Sequence, residues 1–191
     1  MDEGGVKSMK RALLVIDVQN EYFTGKMPVT YPEGSFGHIL AAVDAANRNA
    51  IPVILIRHGS PQKDAAVFLK GSNGWEIHDE LQKKEHLCII DKQLPGSFTG
   101  TELEATLRGL EVDTIVICGY MTQMCCDTTS RQAVHLGFAV EFLSDATGTL
   151  DIANYAGAIT ADQLHKAILI TQAMRFSQVL PTGEWIAAIG S

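Results

Sequence analysis

Nowhere in the 191 residues does an apolar run approach the roughly 20 residues that a membrane-spanning helix needs, so no transmembrane segment is expected. The first ten residues, MDEGGVKSMK, lack the apolar core of a secretory leader, so no signal peptide is expected either. Residues 1–8 are read as a disordered extension, and Met9 is a candidate natural start. Lysine and arginine form no cluster, and the formal charge is −7, which argues against nucleic acid or an anionic membrane surface as a partner. Cysteine is scarce. The four present have no paired spacing and no C-x-x-C, which excludes a disulfide framework and a structural zinc or thioredoxin-type motif and fits a reducing, cytoplasmic setting. Internal repeats and low-complexity tracts are absent too, as is any Asp-x-His pair.

What is present is the balance of an ordinary globular chain: 46% hydrophobic against 19% charged residues, enough to bury one core, so residues 9–191 are read as a single domain. Six short runs have the character of strands: Ala12–Ile16, Pro52–Ile56, Leu87–Ile90, Thr114–Cys118, Phe138–Leu143 and Gln178–Leu180. The first and fourth are continuously apolar, as in strands buried on both faces of a parallel sheet. Helical patterns alternate with them. They cover His38–Asn49, Trp75–Lys84, a segment opened by a Thr101/Glu104 capping box, Thr122 to Gly137, Thr160 to about Met174, and the chain after Thr182. The stretches 24–37, 62–73 and 147–159 are read as loops, the second around an apolar cluster, Val67-Phe68-Leu69, suited to an active-site or interface loop. The fold expected is a three-layer α/β/α sandwich on a doubly wound, six-stranded, mostly parallel sheet of Rossmann-like type. If the first and fourth strands are neighbours, their C-terminal ends lie side by side at the switch point, and Asp17 comes close to Cys125.

Cys125 falls in the first turn of the helix after Gly119. There, free backbone N–H groups favour a thiolate or hold an oxyanion, although a buried packing cysteine is as common a meaning. Cys118, in mid-strand, and Cys126 are read as packing. Asp17 closes a strand and Lys92 follows one; taken alone, each also fits a turn former and a solvated cation. Gln19, Phe23, Phe98 and Tyr120 are candidates for the walls of a substrate pocket, or for supports of its loops and core. Trp75, Glu76 and His78 suit packing or an interface, and His165 a satisfied structural histidine. His38 and His58 stand apart from other ligand types, so no metal is expected.

The segment Gly119-Tyr-Met-Thr-Gln-Met-Cys-Cys-Asp-Thr-Thr-Ser-Arg-Gln-Ala133 resembles the nucleophile segment of the isochorismatase-like cysteine hydrolases, roughly G-[VYFA]-x-T-x-x-C-[VC]-x-x-T-x-R-x-A. The resemblance runs from Leu13 to about Val179, with Asp17, Ile90-Asp91-Lys92 and the cysteine segment in the family's order. It implies Cys125 as nucleophile, Asp17 as general base and Lys92 as the essential cation. It also implies the backbone N–H groups of Met121 and Cys125 as oxyanion hole, and a cis Tyr120–Met121 peptide. The missing Asp-x-His pair sets the chain apart from nicotinamidase-type relatives, so neither metal nor other cofactor is expected. The implied activity is metal-independent hydrolysis of a small amide, imide, lactam or ureido C–N bond through a Cys125 thioester, in a homodimer or homotetramer. Two alternatives stand beside it: cleavage of a vinyl ether, as by isochorismatases proper, and a redox-sensing thiol protein on the same fold. With a cation and a helix N-terminus nearby, the Cys125 thiol is expected to ionise below its ordinary value of roughly 8.5.

Overall fold

In a strand covered by helices on both faces, every residue is buried, and alternate side chains enter opposite cores. Strand β1, Arg11–Ile16, behaves this way from Ala12 onward in the computed structural model, which describes residues 9–190. Leu13 and Val15 enter one apolar cluster, and Ala12, Leu14 and Ile16 enter the other. Strands β2 (Val53–His58), β3 (Cys88–Lys92), β4 (Thr114–Tyr120), β5 (Ala139–Gly148) and β8 (Gln178–Leu180) complete the sheet. Its order is β3-β2-β1-β4-β5-β8, and all of these pairings are parallel. Helices α1 (Ser35–Arg48) and α6 (Thr182–Ile189) cover one face through Ile39, Val43 and Trp185. On the other lie α3 (Leu103–Gly109), α4 (Asp127–His135) and α5 (Ala161–Thr171), through Leu103, Leu107, Ala133 and Leu169. Among the described residues, no helix is long and apolar enough to cross a membrane.

The expected layers and sheet are therefore present, with β1 and β4 paired at the point where the winding reverses. Gly119 permits their closest approach. Its φ is +114°, and an added Cβ would press on the Ile16 carbonyl and stand 2.6 Å from the Ile16 nitrogen. Gly119→Ala should lower stability by about 2–4 kcal/mol, because both backbone strain and collision with main-chain atoms are incurred. Urea unfolding checks this; a loss below about 0.5 kcal/mol, the range of neutral surface changes, would show that the two strands can part.

Several elements differ from the sequence expectation. Helix α1 starts at Ser35, ahead of His38, because Gly34 takes the left-handed conformation at its N-cap. The stretch Trp75–Lys84 divides into a 3₁₀ turn, Asn73–Trp75, and the short α2, Asp79–Gln82, capped by His78. The Thr101/Glu104 capping box does not form. Thr101 Oγ1 instead donates to the Ser97 carbonyl at 2.6 Å, and its acceptor lobe meets the Leu103 N–H at 3.3 Å. Residues 147–159 are not a plain loop, since β5 continues past a register shift to pair Thr147 and Gly148 with Gly119 and Tyr120. Beyond it, β6 (Ile152–Asn154) and β7 (Gly157–Ile159) form an antiparallel ribbon. The Thr160 cap of α5 is present, its Oγ1 accepting from the Gln163 N–H at 3.3 Å. The reading of residues 1–8 lies outside the described residues.

Candidate active site

Asp17 is the first residue beyond β1. Its φ of +52° turns the chain out of the strand, a conformation that aspartate tolerates better than most residues. The turn is held by the Asp17 N–H, which donates to the Ile56 carbonyl at 2.9 Å, and by the Asp17 carbonyl, which accepts from the Gln19 N–H at 2.8 Å. Lys92 ends β3, two strands away, and its stem spans the gap that topology alone leaves open. Its Nζ lies 2.7 Å from Asp17 Oδ2. The same ammonium donates to Cys125 Sγ at 3.2 Å and to the Leu94 carbonyl at 3.2 Å. Neither the Asp17 nor the Lys92 side chain is exposed at all, and Cys125 is only 7% exposed. Asp17 Oδ1 has no N–H or O–H donor among the described residues.

The turn that carries Cys125 has unusual local geometry. Strand β4 ends at Tyr120, the Tyr120–Met121 peptide is cis as the resemblance implied, and Thr122–Cys126 forms a π-helical turn leading into α4. Such widened turns recur at functional sites. His165 anchors this one: its Nε2 faces the Ser144 carbonyl at 2.9 Å, and its Nδ1 faces Thr122 Oγ1 at 2.8 Å. A carbonyl only accepts, so Nε2 carries the proton and the Thr122 hydroxyl donates to Nδ1. Burial, the larger influence, lowers the His165 pKa and keeps the ring neutral. The Met121 N–H finds no acceptor among the described residues, and the Cys125 N–H none outside its own turn.

The expectation of an acidic thiol is corrected by this environment. Burial first, and then the Asp17 carboxylate, push the Cys125 thiol well above its ordinary value, while Lys92 opposes them less strongly. A thiolate beside an ionised Asp17 would leave one unbalanced negative charge in a buried site, against a single ammonium. The ammonium itself is secure: burial works to lower its pKa, but Asp17 and Cys125 together outweigh this and raise it. Moving the thiol proton to Asp17, rather than losing it to solvent, leaves the net charge of the site unchanged.

The suggested wall residues have the following neighbours. Gln19 is fully buried and clamps the backbone of His58: its Oε1 accepts from the His58 N–H at 2.9 Å, and its Nε2 donates to the His58 carbonyl at 2.8 Å. Tyr120 is a core residue whose hydroxyl meets Ser35 Oγ at 3.1 Å. Phe98 stacks on Phe138 at 6.1 Å between centroids, within the α3/α4 core. Phe23 packs on Phe36 and His78 at 4.9 and 4.4 Å. Cys118 and Cys126 are buried packing residues, as expected.

Three residues that were not singled out as walls also lie near Asp17, Lys92 and Cys125 or pack on such a neighbour. Tyr22 senses the charges of Cys125 and Asp17, which add to the dominant effect of burial in raising its pKa. Phe68 packs on Tyr22 at 5.1 Å and on His58 at 5.3 Å. His58 pairs in register with Lys92 across β2 and β3. The signal for Phe68 was available in the apolar cluster of its loop, but its reach to the triad depends on a fold-back in which the Ser60 N–H donates to the Phe68 carbonyl at 3.0 Å. Among the described residues, no three His, Cys, Asp or Glu side chains gather as possible metal ligands.

Comparison with known proteins agrees with this fold. A family model described as the isochorismatase domain matches residues 11–174. The isochorismatase family protein YddQ of Bacillus subtilis, itself uncharacterized, is 33% identical over 162 residues, covering 84% of this chain and 90% of its own. Nicotinamidase 3 of Arabidopsis thaliana is 30% identical over 181 residues, covering 88% of this chain and 83% of its own. A crystal structure of a candidate isochorismatase from Burkholderia xenovorans LB400 superposes with a TM-score of 0.92 at 41% identity, covering 95% of this chain and 88% of the other. By fold, and by a sequence match over most of its length, the chain belongs to the isochorismatase family.

Proposed function

We propose that this protein is a cysteine hydrolase that cleaves a small amide-type C–N bond through a thioester on Cys125. The observation that carries the reading is the position of Lys92 Nζ, 2.7 Å from Asp17 Oδ2 and 3.2 Å from Cys125 Sγ, in a centre almost closed to water. Asp17 takes the thiol proton as Sγ attacks the carbonyl carbon, and Lys92 balances the negative charge throughout. The oxyanion forms against the Met121 and Cys125 N–H groups. Asp17 then returns the proton to the departing nitrogen, the C–N bond breaks, and an acyl thioester remains on Cys125. Water attacks the thioester with Asp17 again as base. The products are a carboxylic acid and an amine, and the thiol is restored.

The relative named as a nicotinamidase supports amide chemistry. The pyridine carboxamide itself is not carried over, because the Asp-x-His pair of metal-dependent nicotinamidase-type relatives is missing from this sequence. The cysteine favours the acyl route over vinyl-ether cleavage, which needs acid catalysis but no thioester.

The test is a panel of small primary amides, imides, lactams and ureides, followed by rapid acid quench and mass spectrometry of the peptide carrying Cys125. Turnover should come with an increment equal to the acyl group on Cys125. Turnover of an amide with no adduct there, and undiminished on Cys125→Ala, would overturn the reading. A vinyl ether hydrolysed without any adduct would favour the second chemistry.

A further inference from the structure

His58 has a polar atom that the fold leaves unused. Its Nδ1 is buried and has no partner among the described residues, whereas His165 is bonded at both ring nitrogens. The position of the ring is nevertheless built. Gln19, itself fully buried, grips the His58 N–H and carbonyl, and Phe68 packs against the imidazole edge to face at 5.3 Å with an interplanar angle of 78°. Fixing a buried donor or acceptor without a partner destabilises the fold, and an apolar residue would fill this place without that cost. The place is beside the triad, since His58 is the register partner of Lys92 and senses the charges of both Lys92 and Asp17. Burial and the neighbouring ammonium lower its pKa, so the ring is neutral and presents a hydrogen-bonding group rather than a charge.

The surroundings limit what meets it. The Lys92 ammonium is ion-paired with Asp17 and donates to Cys125 Sγ and the Leu94 carbonyl. Arg57, next in the chain, is held by Asp91 at 2.7 Å and lies over the Trp75 ring at 3.6 Å. The residues flanking His58 thus offer no spare cation to a substrate anion. What they offer is the Phe68 and Tyr22 rings, 5.1 Å apart.

We infer that His58 is a specificity-determining residue whose Nδ1 hydrogen-bonds the polar edge of a small uncharged amide or ureide seated against Phe68 and Tyr22, over Cys125. This rests on the proposed amide hydrolysis for the bond that is cleaved, but binding is tested apart from turnover. The readout is protection of Cys125 from methyl methanethiosulfonate by benzamide, phenylurea or benzoate, in the parent, His58→Leu and His58→Asn, with each variant first shown to melt cooperatively. His58→Phe replaces His58→Leu if the latter does not fold.

The parent should be protected by benzamide and phenylurea and less by benzoate. His58→Leu should need roughly tenfold more of either neutral compound, the worth of one hydrogen bond, and His58→Asn, whose amide presents a polar atom near the Nδ1 position, should recover most of the difference. Equal protection in parent and His58→Leu, equal losses in the Leu and Asn variants, or benzoate protecting as well as benzamide would overturn the inference. So would a parent that neither neutral compound protects. An intact protection pattern with no acyl adduct on any substrate would instead count against the hydrolase reading and leave this one standing.

Discussion

Cys125→Ala should lower turnover by on the order of 10⁴-fold or more, whereas Cys126→Ala should leave most of it, although the two side chains are neighbours in sequence. The difference lies in what each sulfur touches. Cys125 Sγ accepts from Lys92 at 3.2 Å and faces Asp17, so its loss removes the atom that forms the covalent bond. Cys126 is fully buried on the same side of the sheet as Ile117, Ala133 and Phe142, and its thiol has no hydrogen-bond partner among the described residues. Shortening it leaves a small cavity and costs about 1–2 kcal/mol, which lowers the melting temperature without reaching the chemistry. Steady-state rates on a substrate from the amide panel, with thermal melts beside them, make the comparison. Similar residual activity in both variants would remove Cys125 from the role of nucleophile.

The strands were legible because burial on both faces leaves an unbroken apolar run, and Ala12–Ile16 and Thr114–Cys118 carry that mark without any knowledge of their partners. The closeness of Asp17 and Cys125 also followed, since adjacency of β1 and β4 at the switch point forces it. Lys92 was legible only through family resemblance, as its approach depends on how a long side chain crosses the end of β2, which no periodicity encodes. The surroundings of the suggested wall residues were not legible for a related reason. Phe98 and Tyr120 are aromatic and near the triad in sequence, but α3/α4 packing takes the first and a hydrogen bond to Ser35 the second. Phe68 reaches the site from a loop whose fold-back is set by contacts far apart in the chain, and His58 was passed over because a search for metal ligands asks only whether histidines cluster. The acidity of the thiol failed differently. A nearby cation and helix end were visible in the sequence, but the extent of burial and the competing charge of Asp17 emerge only from the assembled site.

Opposite substitutions within the triad should move the Cys125 thiol in opposite directions while both stop turnover. In the parent, burial and Asp17 raise the thiol pKa, so labelling by iodoacetamide should show no inflection at or below the ordinary value of roughly 8.5. Asp17→Asn removes a negative charge. The buried centre then holds the Lys92 ammonium alone until the thiol ionises, so the thiolate neutralises it and the inflection should move to lower pH than in the parent. Turnover should nevertheless fall by about 10²–10⁴-fold, because no group remains to carry the proton to the departing nitrogen or to activate water. Lys92→Met keeps much of the buried volume but removes the cation, so with Asp17 ionised the inflection should move still higher. Its stability should fall as well, by roughly 3–5 kcal/mol if Asp17 remains charged and unpaired. Labelling rates from pH 5 to 11, read by intact mass beside the steady-state rate, separate the two roles (the limits, about 5 and 11, bracket the thiol reference). A parent inflection well below the ordinary thiol value would show a resting thiolate–lysine pair and reverse the charge argument. An Asp17→Asn variant that kept its turnover would take the proton transfers away from this carboxylate.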